Sequence, residues 1–269
     1  MERITRAVER IHQERREEVS GVHYEADAQL PGTESKLRRV KVPQEVLQEN
    51  RVLSGKGYDE YSQAYKVLRT RIWQQMRTNG WQTLAITSAN PGEGKSLTAI
   101  NLAISLAMME IGCAVVLVDL DMRKPSIHRY FDIQSDTGIS DYLLGSVPLE
   151  GALVDPGVVE RFMLLPGGRS LMNSSEMLSS PRITRLLQEL RSRFPSRVVI
   201  FDLPPVLATD DALVLAPHMD AFLLVIEEGK SNVNEVSKAV ELLKDTRLLG
   251  TVLNKSEEDS HRYKYGYGY

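Results

Sequence analysis

The sequence of 269 residues has little cysteine and little histidine. Its single cysteine, Cys113, excludes a disulfide framework and an iron–sulfur cluster held by several cysteines of this chain. Its five histidines are scattered without the spacing of metal ligands, so we expect no zinc site. A chain with so few thiols is typical of the cytoplasm, where we expect this protein.

Long apolar runs and a basic excess are also missing. No stretch reaches the roughly 18 apolar residues that span a bilayer, and the charged start leads into no signal-peptide core. Lys and Arg number 33 against 36 Asp and Glu, a formal net charge of -3, whereas nucleic-acid-binding domains usually carry a strongly basic face. We therefore expect no nucleic acid partner, and membrane contact only through another protein.

Polarity divides the chain into three parts. Residues 1–56 are polar and broken by glycine and proline, which predicts a short helix followed by a flexible linker. Residues 57–255 contain the apolar segments and form the predicted catalytic domain. Residues 256–269 are polar and rich in tyrosine, which predicts a flexible tail.

The apolar segments alternate between strand and helix patterns. Strands are predicted at residues 81–87, 113–121, 197–203, 221–227 and 249–253. Helices are predicted at residues 58–77, 97–110, 180–194 and 231–245. This order predicts an α/β fold with a doubly wound, mostly parallel sheet, whose ligands bind at the carboxyl ends of the strands.

Residues 89–96 lie between a predicted strand and a predicted helix and fit the phosphate-binding pattern A/G-x-x-x-x-G-K-S/T. Gly92 and Gly94 let the backbone wrap a triphosphate, while Lys95 adds a positive charge and Ser96 a hydroxyl for Mg²⁺. We predict that a nucleoside triphosphate binds to Asn90, Pro91, Gly92, Glu93, Gly94, Lys95, Ser96 and Leu97.

Three aspartates end two of the predicted strands. Asp119 and Asp121 close one strand and share a face because strand side chains alternate, and Asp202 ends the next strand at the Walker B position. Mg²⁺ is held by one or two carboxylates together with phosphates and water. We expect Ser96, Asp121 and Asp202 to hold it, although the sequence does not separate Asp119 from Asp121.

Several motifs give the chain a family resemblance. Residues 88–96 resemble S-x-x-P-G-E-G-K-S/T, and residues 119–125 resemble D-x-D-x-R-x-P. Further motif segments follow in order at residues 138–143, 165–168, 202–205 with 211–212, and 250–255. Over residues 58–269 the chain resembles the bacterial tyrosine kinases of capsule and exopolysaccharide export, P-loop proteins of the Walker A/A′/B type. Among these it is most similar to the free cytoplasmic autokinases associated with exosortase loci.

The resemblance implies a Mg-ATP-dependent protein tyrosine kinase. Lys95, Asp119, Asp121 and Asp202 are the candidate catalytic residues, and Asp119 is the candidate base for the tyrosine proton. By the same resemblance Asn254 contacts the nucleotide base; a turn-forming asparagine is the alternative.

The end of the chain carries four of its ten tyrosines: Tyr263, Tyr265, Tyr267 and Tyr269. In a chain that resembles this family, we interpret them as autophosphorylation sites. The alternatives are an incidental aromatic tail and a strand at a sheet edge, since alternating tyrosine favours strands.

The resemblance also implies partners. They are a membrane polysaccharide co-polymerase that activates the kinase at the inner face of the plasma membrane, a tyrosine phosphatase, and further copies of the chain for phosphorylation in trans. The family's ring-forming pattern E-x-x-R-x-x-R departs here to Gln63, Lys66 and Arg69. Lysine cannot replace a bidentate arginine, so the usual ring is in doubt.

Three other functions fit the same fold. A partitioning or cell-division ATPase would carry a signature lysine where this chain has Asn90. An ATP-binding scaffold of the exporter and a small-molecule synthetase are the others, and a synthetase would not need the tyrosine tail.

Overall fold

The computed structural model describes residues 37–55, 61–109, 114–134, 137–192 and 197–256. Within these ranges the strands are β1 Arg38–Arg39, β2 Thr83–Ser88, β3 Ala114–Asp119, β4 Val154–Asp155, β5 Phe162–Leu165, β6 Arg197–Asp202, β7 Ala221–Glu227 and β8 Leu248–Asn254. They form one sheet in the order β1-β4-β5-β3-β6-β2-β7-β8. Neighbouring strands are parallel, except that β4 and β5 are antiparallel.

Helices connect the strands on both sides of the sheet. They are α1 Gln44–Glu49, α2 Ser62–Asn79, α3 Lys95–Ala107, α4 Ile127–Tyr130, α5 Ile139–Leu144, α6 Leu149–Ala152, α7 Ser174–Leu178, α8 Pro181–Ser192, α9 Asp211–Leu215 and α10 Val233–Leu242. Within the described ranges, no helix combines the length and apolar character that crossing a bilayer requires.

The sheet is buried on both faces. In β3, Val116 and Val118 belong to one apolar core, whereas Val115 and Leu117 belong to the core on the other side. Parallel strands covered on both faces need such continuous apolar runs. The predicted doubly wound, mostly parallel sheet is therefore confirmed.

The core that contains Val115 and Leu117 is called the second core here. The helix after the phosphate-binding motif, α3, is the most buried helix in it. In α3, Ile100, Leu102 and Ile104 are fully buried, as is the neighbouring Ala103. The helix begins at Lys95 and ends at Ala107, three residues earlier than the sequence predicted. Its burial fixes the phosphate-binding loop to the interior of the domain.

Residues 37–55 correct one expectation. The sequence predicted a flexible linker there, but β1 pairs with β4, and Leu47, Val52 and Leu53 are buried in the second core. Asn101 of α3 accepts a hydrogen bond from the Leu53 amide at 2.9 Å. The segment is held because its few apolar residues are spaced to cover α3, which its polar composition concealed. Residues 1–36, with the predicted N-terminal helix, lie outside the described residues.

Three strands were missed by the sequence analysis. β1 and β4 contain two residues each, too few to show an alternation. β5 contains the four buried residues 162–165, a run that periodicity alone cannot assign. These short strands extend the sheet beyond β3.

Two motif segments meet next to β5. The amide of Ile139 donates to the carbonyl of Pro166 at 2.8 Å, and that of Ser140 donates to Gly167 at 3.1 Å. Asp141 fixes the start of α5, because it accepts the Gly138 amide at 3.1 Å and the Arg169 guanidinium at 2.7 Å. The segments at 138–143 and 165–168 therefore form one structural unit.

We expect Asp141→Asn to destabilise the fold in a pH-dependent way. Burial raises the pKa of Asp141, but the bonds from Arg169 and Gly138 outweigh it, so the net pKa lies below its usual value. A lowered folded pKa gives stability that is present above about pH 4 and is lost as pH falls through the folded pKa. Urea unfolding at pH 7 should show a loss of about 1–3 kcal/mol.

The matched control is Asp245→Asn, which changes an exposed aspartate. It should leave the urea unfolding midpoint unchanged at pH 7 and at pH 3. For Asp141→Asn, the difference from the unsubstituted chain should shrink at pH 3. An equal deficit at pH 7 and pH 3 would show that the charge of Asp141 is not the cause.

Candidate active site

The phosphate-binding loop joins β2 to α3 and turns through two left-handed glycines. Gly92 has a φ of 86° and Gly94 a φ of 92°, which side chains rarely adopt. Glu93, between them, is buried, and its carboxylate accepts hydrogen bonds from the Asn90 amide at 2.9 Å and from the Ser231 hydroxyl. The Glu93 carboxylate thus holds the loop from inside. The backbone amides of the loop lie at the start of α3.

The end of β8 and the start of α10 brace the same loop from outside. The Asn254 side chain donates to the Glu93 carbonyl at 2.9 Å, and the Lys255 ammonium donates to the Gly92 carbonyl at 2.8 Å. The Asn90 side chain donates to Glu235 of α10 at 2.9 Å. Elements distant in sequence therefore hold the loop that follows β2.

Lys95 lies between two of the predicted aspartates. Its Nζ is 2.9 Å from Asp121 Oδ2 and 3.3 Å from Asp202 Oδ1. Burial lowers the pKa of Lys95, but the carboxylates of Asp202 and Asp121 outweigh it and raise the net pKa above its usual value. The lysine is therefore charged at neutral pH in a site sheltered from water.

Asp119 is fully buried and is held by the backbone of the loop before α4. Its Oδ2 accepts the amides of Ser126 at 2.9 Å and Ile127 at 3.0 Å. Burial and the neighbouring Asp202 raise the pKa of Asp119 to about 7, against the lowering effect of those amides. A carboxyl group with such a pKa can exchange a proton near neutral pH.

The segment after Asp121 is anchored on a second network. Arg123 Nε donates to Ser174 Oγ at 3.0 Å, and Ser174 in turn donates to the fully buried Asp211 at 2.8 Å. Ser126 Oγ lies 3.3 Å from Ser96 Oγ, so this segment also reaches the phosphate-binding loop. The Walker A and Walker A′ segments thus form one rim.

The donor set fits Mg²⁺ together with a nucleoside triphosphate. Burial raises the pKa of Asp202, against the opposing charge of Lys95, and its Oδ2 is buried without a hydrogen-bond partner. In the described part of the chain, no group of three or more His, Cys, Asp or Glu is placed to hold a metal. Mg²⁺ does not require such a group, since phosphates and water complete its coordination.

Most of the predicted site residues lie close together in the structure, and other residues contact them. Lys95, Ser96, Asp119, Asp121 and Asp202 lie together, and Asn254 lies against the phosphate-binding loop. Ser231 and Glu235, which also contact the loop residues, were not predicted. Lys255 and Asp211 belong to motif segments but were given no role; they bond to the Gly92 carbonyl and to Ser174. The sequence signal for Ser231 is its place shortly after the end of β7. The predicted phosphorylation sites at residues 263–269 lie outside the described residues.

Comparisons with known proteins give the chain a class. The ParA family model, described as NUBPL iron-transfer P-loop NTPase, matches residues 81–262. The crystal structure of the chimerical protein CapA2B2 is similar with a TM-score of 0.69 and 28% identity, covering 82% of this chain and 93% of that one. The kinase domain of the Escherichia coli tyrosine kinase ETK has a TM-score of 0.67 and 25% identity, covering 86% and 94%.

Curated relatives narrow the class. Tyrosine-protein kinase YwqD of Bacillus subtilis (strain 168) is 36% identical over 208 residues, which cover 77% of this chain and 85% of that protein. Tyrosine-protein kinase CpsD of Streptococcus pneumoniae serotype 4 is 32% identical over 211 residues, covering 77% and 88%. The putative tyrosine-protein kinase EpsB of Ralstonia solanacearum is 33% identical over 213 residues, and there the match spans only 28% of the relative's length.

Fold and site together define a P-loop NTPase of the ParA type, with a Walker A loop and with aspartates after β3 and at the end of β6 around one buried lysine. Within that class the chain belongs to the bacterial tyrosine kinases.

Proposed function

We propose that this chain is a Mg-ATP-dependent tyrosine autokinase that phosphorylates Tyr263, Tyr265, Tyr267 and Tyr269 of its own tail. The observation that carries the proposal is the pairing of Lys95 with Asp121 and Asp202 at 2.9 and 3.3 Å, in a chain of this family that ends in four tyrosines. Phosphoryl transfer depends mainly on positioning and neutralisation of charge, which such a site supplies.

The residues of the loop have separate tasks in this proposal. The amides at residues 92–96 and the Lys95 ammonium bind the phosphates of ATP, while Ser96, Asp121 and Asp202 hold Mg²⁺. When bound, Mg²⁺ neutralises negative charge on the phosphates. Asn254 positions the loop through the Glu93 carbonyl, and in this proposal it also contacts the nucleotide.

Asp119 is the proposed base. A tyrosine phenol titrates near pH 10, so its proton must leave as its oxygen bonds to the γ-phosphorus. The bond from that phosphorus to the bridging oxygen breaks, ADP departs, and the phenolic proton passes to Asp119. The Ser126 and Ile127 amides fix the orientation of this carboxylate.

Transfer between copies is part of the proposal, but the usual ring contact is altered. Arg69, the one retained arginine of the ring pattern, donates to the Ser105 carbonyl of its own chain at 2.8 Å. Gln63 and Lys66 are exposed and offer no bidentate partner. We infer that copies meet through contacts other than the family's arginine pairs.

We further propose that the kinase regulates exopolysaccharide synthesis. By family resemblance, a membrane polysaccharide co-polymerase activates it at the inner face of the plasma membrane and a tyrosine phosphatase resets it. Four phosphotyrosines would add roughly -6 to -8 charges to the tail at neutral pH, enough to change its contacts with an acidic site.

Replacing the four tail tyrosines by phenylalanine tests the substrate. The purified chain incubated with γ-labelled ATP and Mg²⁺ should retain label, whereas the variant with Tyr263, Tyr265, Tyr267 and Tyr269→Phe should lose most of it. The site itself is unchanged, so ATP binding should remain. Equal labelling of both proteins would move the substrate elsewhere, and release of phosphate without labelling would favour a partitioning-type ATPase.

A further inference from the structure

An apolar groove lies between α10 and the carboxyl ends of β7 and β8. It is on the face of the sheet opposite to the one that α3 covers. Its volume is about 470 Å³, and its aliphatic lining comes from Ile226, Val233, Val236, Val240 and Leu253. Val233 is 79% exposed and Leu253 is 52% exposed. Aliphatic side chains that lie together and are open to water gain free energy when another apolar group covers them. We call this surface the β8 groove.

The segment that follows β8 begins beside the groove. β8 ends at Asn254, directly after the lining residue Leu253, and the described chain continues to Ser256. Tyr263 follows seven residues later, and an extended chain covers roughly 3.3 Å per residue, so about 23 Å are within reach. The tyrosine segment, residues 263–269, can therefore return to the groove of its own chain.

The chemistry of the segment matches the groove. Its tyrosines alternate with lysine and glycine, which places the rings on one side of an extended chain. Each ring buries an apolar body and keeps a polar tip in water. The carboxylates of the lining are largely paired: Glu227 binds Lys255 at 2.9 Å and Lys230 at 3.3 Å, and Glu241 binds Lys244 at 2.7 Å. Arg262 and Lys264 are offset by the acidic residues 257–259 that precede them. Apolar contact between the tyrosine rings and the aliphatic lining is therefore the basis of the match.

We propose that the β8 groove docks the unphosphorylated tyrosine segment of the same chain. Ser231 lines the groove and donates a hydrogen bond to Glu93 of the phosphate-binding loop. A segment docked in the groove therefore lies beside the active site. A phosphate on a docked tyrosine would bring about -1.5 to -2 charge against the aliphatic lining, where it loses hydration, so phosphorylation releases the segment. The docking does not depend on the proposed function; only the release by phosphorylation rests on it.

Photocrosslinking of the full chain tests the docking. The chain carries Tyr265→p-benzoylphenylalanine, is treated with a tyrosine phosphatase and is irradiated without ATP. Mass spectrometry should find the crosslink within residues 233–241, in molecules that still migrate as single chains. Adding Val233→Asp, at a position too exposed to disturb folding, should reduce the yield at least several-fold. The matched control Val67→Asp changes an exposed valine of α2 and should keep it.

Crosslinks spread over the surface, a yield insensitive to Val233→Asp, or a product of two linked chains would overturn the proposal. Mg-ATP added before irradiation tests release: the crosslink should fall several-fold as phosphotyrosine appears. A phosphorylated tail that crosslinks as before would overturn the release. A tail that crosslinks to the groove but never gains phosphate would support the docking and contradict the proposed function.

Discussion

Replacing Lys95 by methionine is expected to abolish phosphotyrosine formation on the tail. Methionine has a similar length but no charge, so the γ-phosphoryl group loses the cation that the two aspartates hold in place. Removing one such electrostatic contact typically lowers kcat about 100- to 1000-fold. Phosphotyrosine measured by mass spectrometry after incubation with Mg-ATP should therefore fall to background.

The variant needs a test of folding, because Lys95 also neutralises buried carboxylates. Breaking a buried ion pair costs about 3–5 kcal/mol when one partner is left behind. The thermal unfolding temperature of the variant shows whether activity is lost because the protein unfolds or because the lysine is missing. If the methionine variant does not fold, Lys95→Arg is used instead because it keeps the positive charge. Lys238→Met removes an exposed lysine of α10 and should leave phosphorylation unchanged. Phosphorylation that persists in folded Lys95→Met protein would exclude the assigned site.

Gly94→Ala is expected to remove most ATP binding. Gly94 has a φ of 92°, and an added Cβ would lie 2.0 Å from Asn254 Nδ2, whose hydrogen bond to Glu93 holds the loop. The backbone strain alone costs about 1–3 kcal/mol. The displaced Asn254 releases the loop as well, so isothermal titration calorimetry should show at least a tenfold weaker affinity for ATP.

Two variants separate strain from contact. Gly80→Ala introduces a side chain at a φ of 66°, where no atom lies within 4 Å, so it should lower stability but leave ATP affinity unchanged. Asn254→Ala combined with Gly94→Ala removes the clashing group and should restore part of the affinity. Unchanged ATP binding by Gly94→Ala would show that the loop adjusts freely, contrary to the bracing described above.

The sequence was sufficient for the elements that are long and buried on both faces. The strand containing Val115, Val116, Leu117 and Val118 could be read from its apolar run, because a parallel strand covered by helices must be apolar throughout. The Walker A loop could be read from its glycines and its place between strand and helix. The position of Asp202 opposite Lys95 followed from the rule that parallel strands end at one edge.

The parts that escaped prediction depend on contacts between residues distant in sequence. Ser231 and Glu235 have no distinguishing sequence pattern, and only the fold brings them to the phosphate-binding loop. Leu47 and Val52 occur in a polar segment, and their burial depends on the core that they share with α3, which is distant in sequence. The separate tasks that we propose for Asp119 and Asp121 likewise depend on which backbone amides surround each carboxylate.

Site-resolved mass spectrometry of the purified full chain tests the central claim most directly. The chain is treated with a tyrosine phosphatase, incubated with Mg-ATP and digested, and phosphate is counted on each tyrosine together with the ADP released. The proposed autokinase should place phosphate on Tyr263, Tyr265, Tyr267 and Tyr269, with ADP formed in step with phosphotyrosine. ADP formation with unmodified tail tyrosines would contradict it.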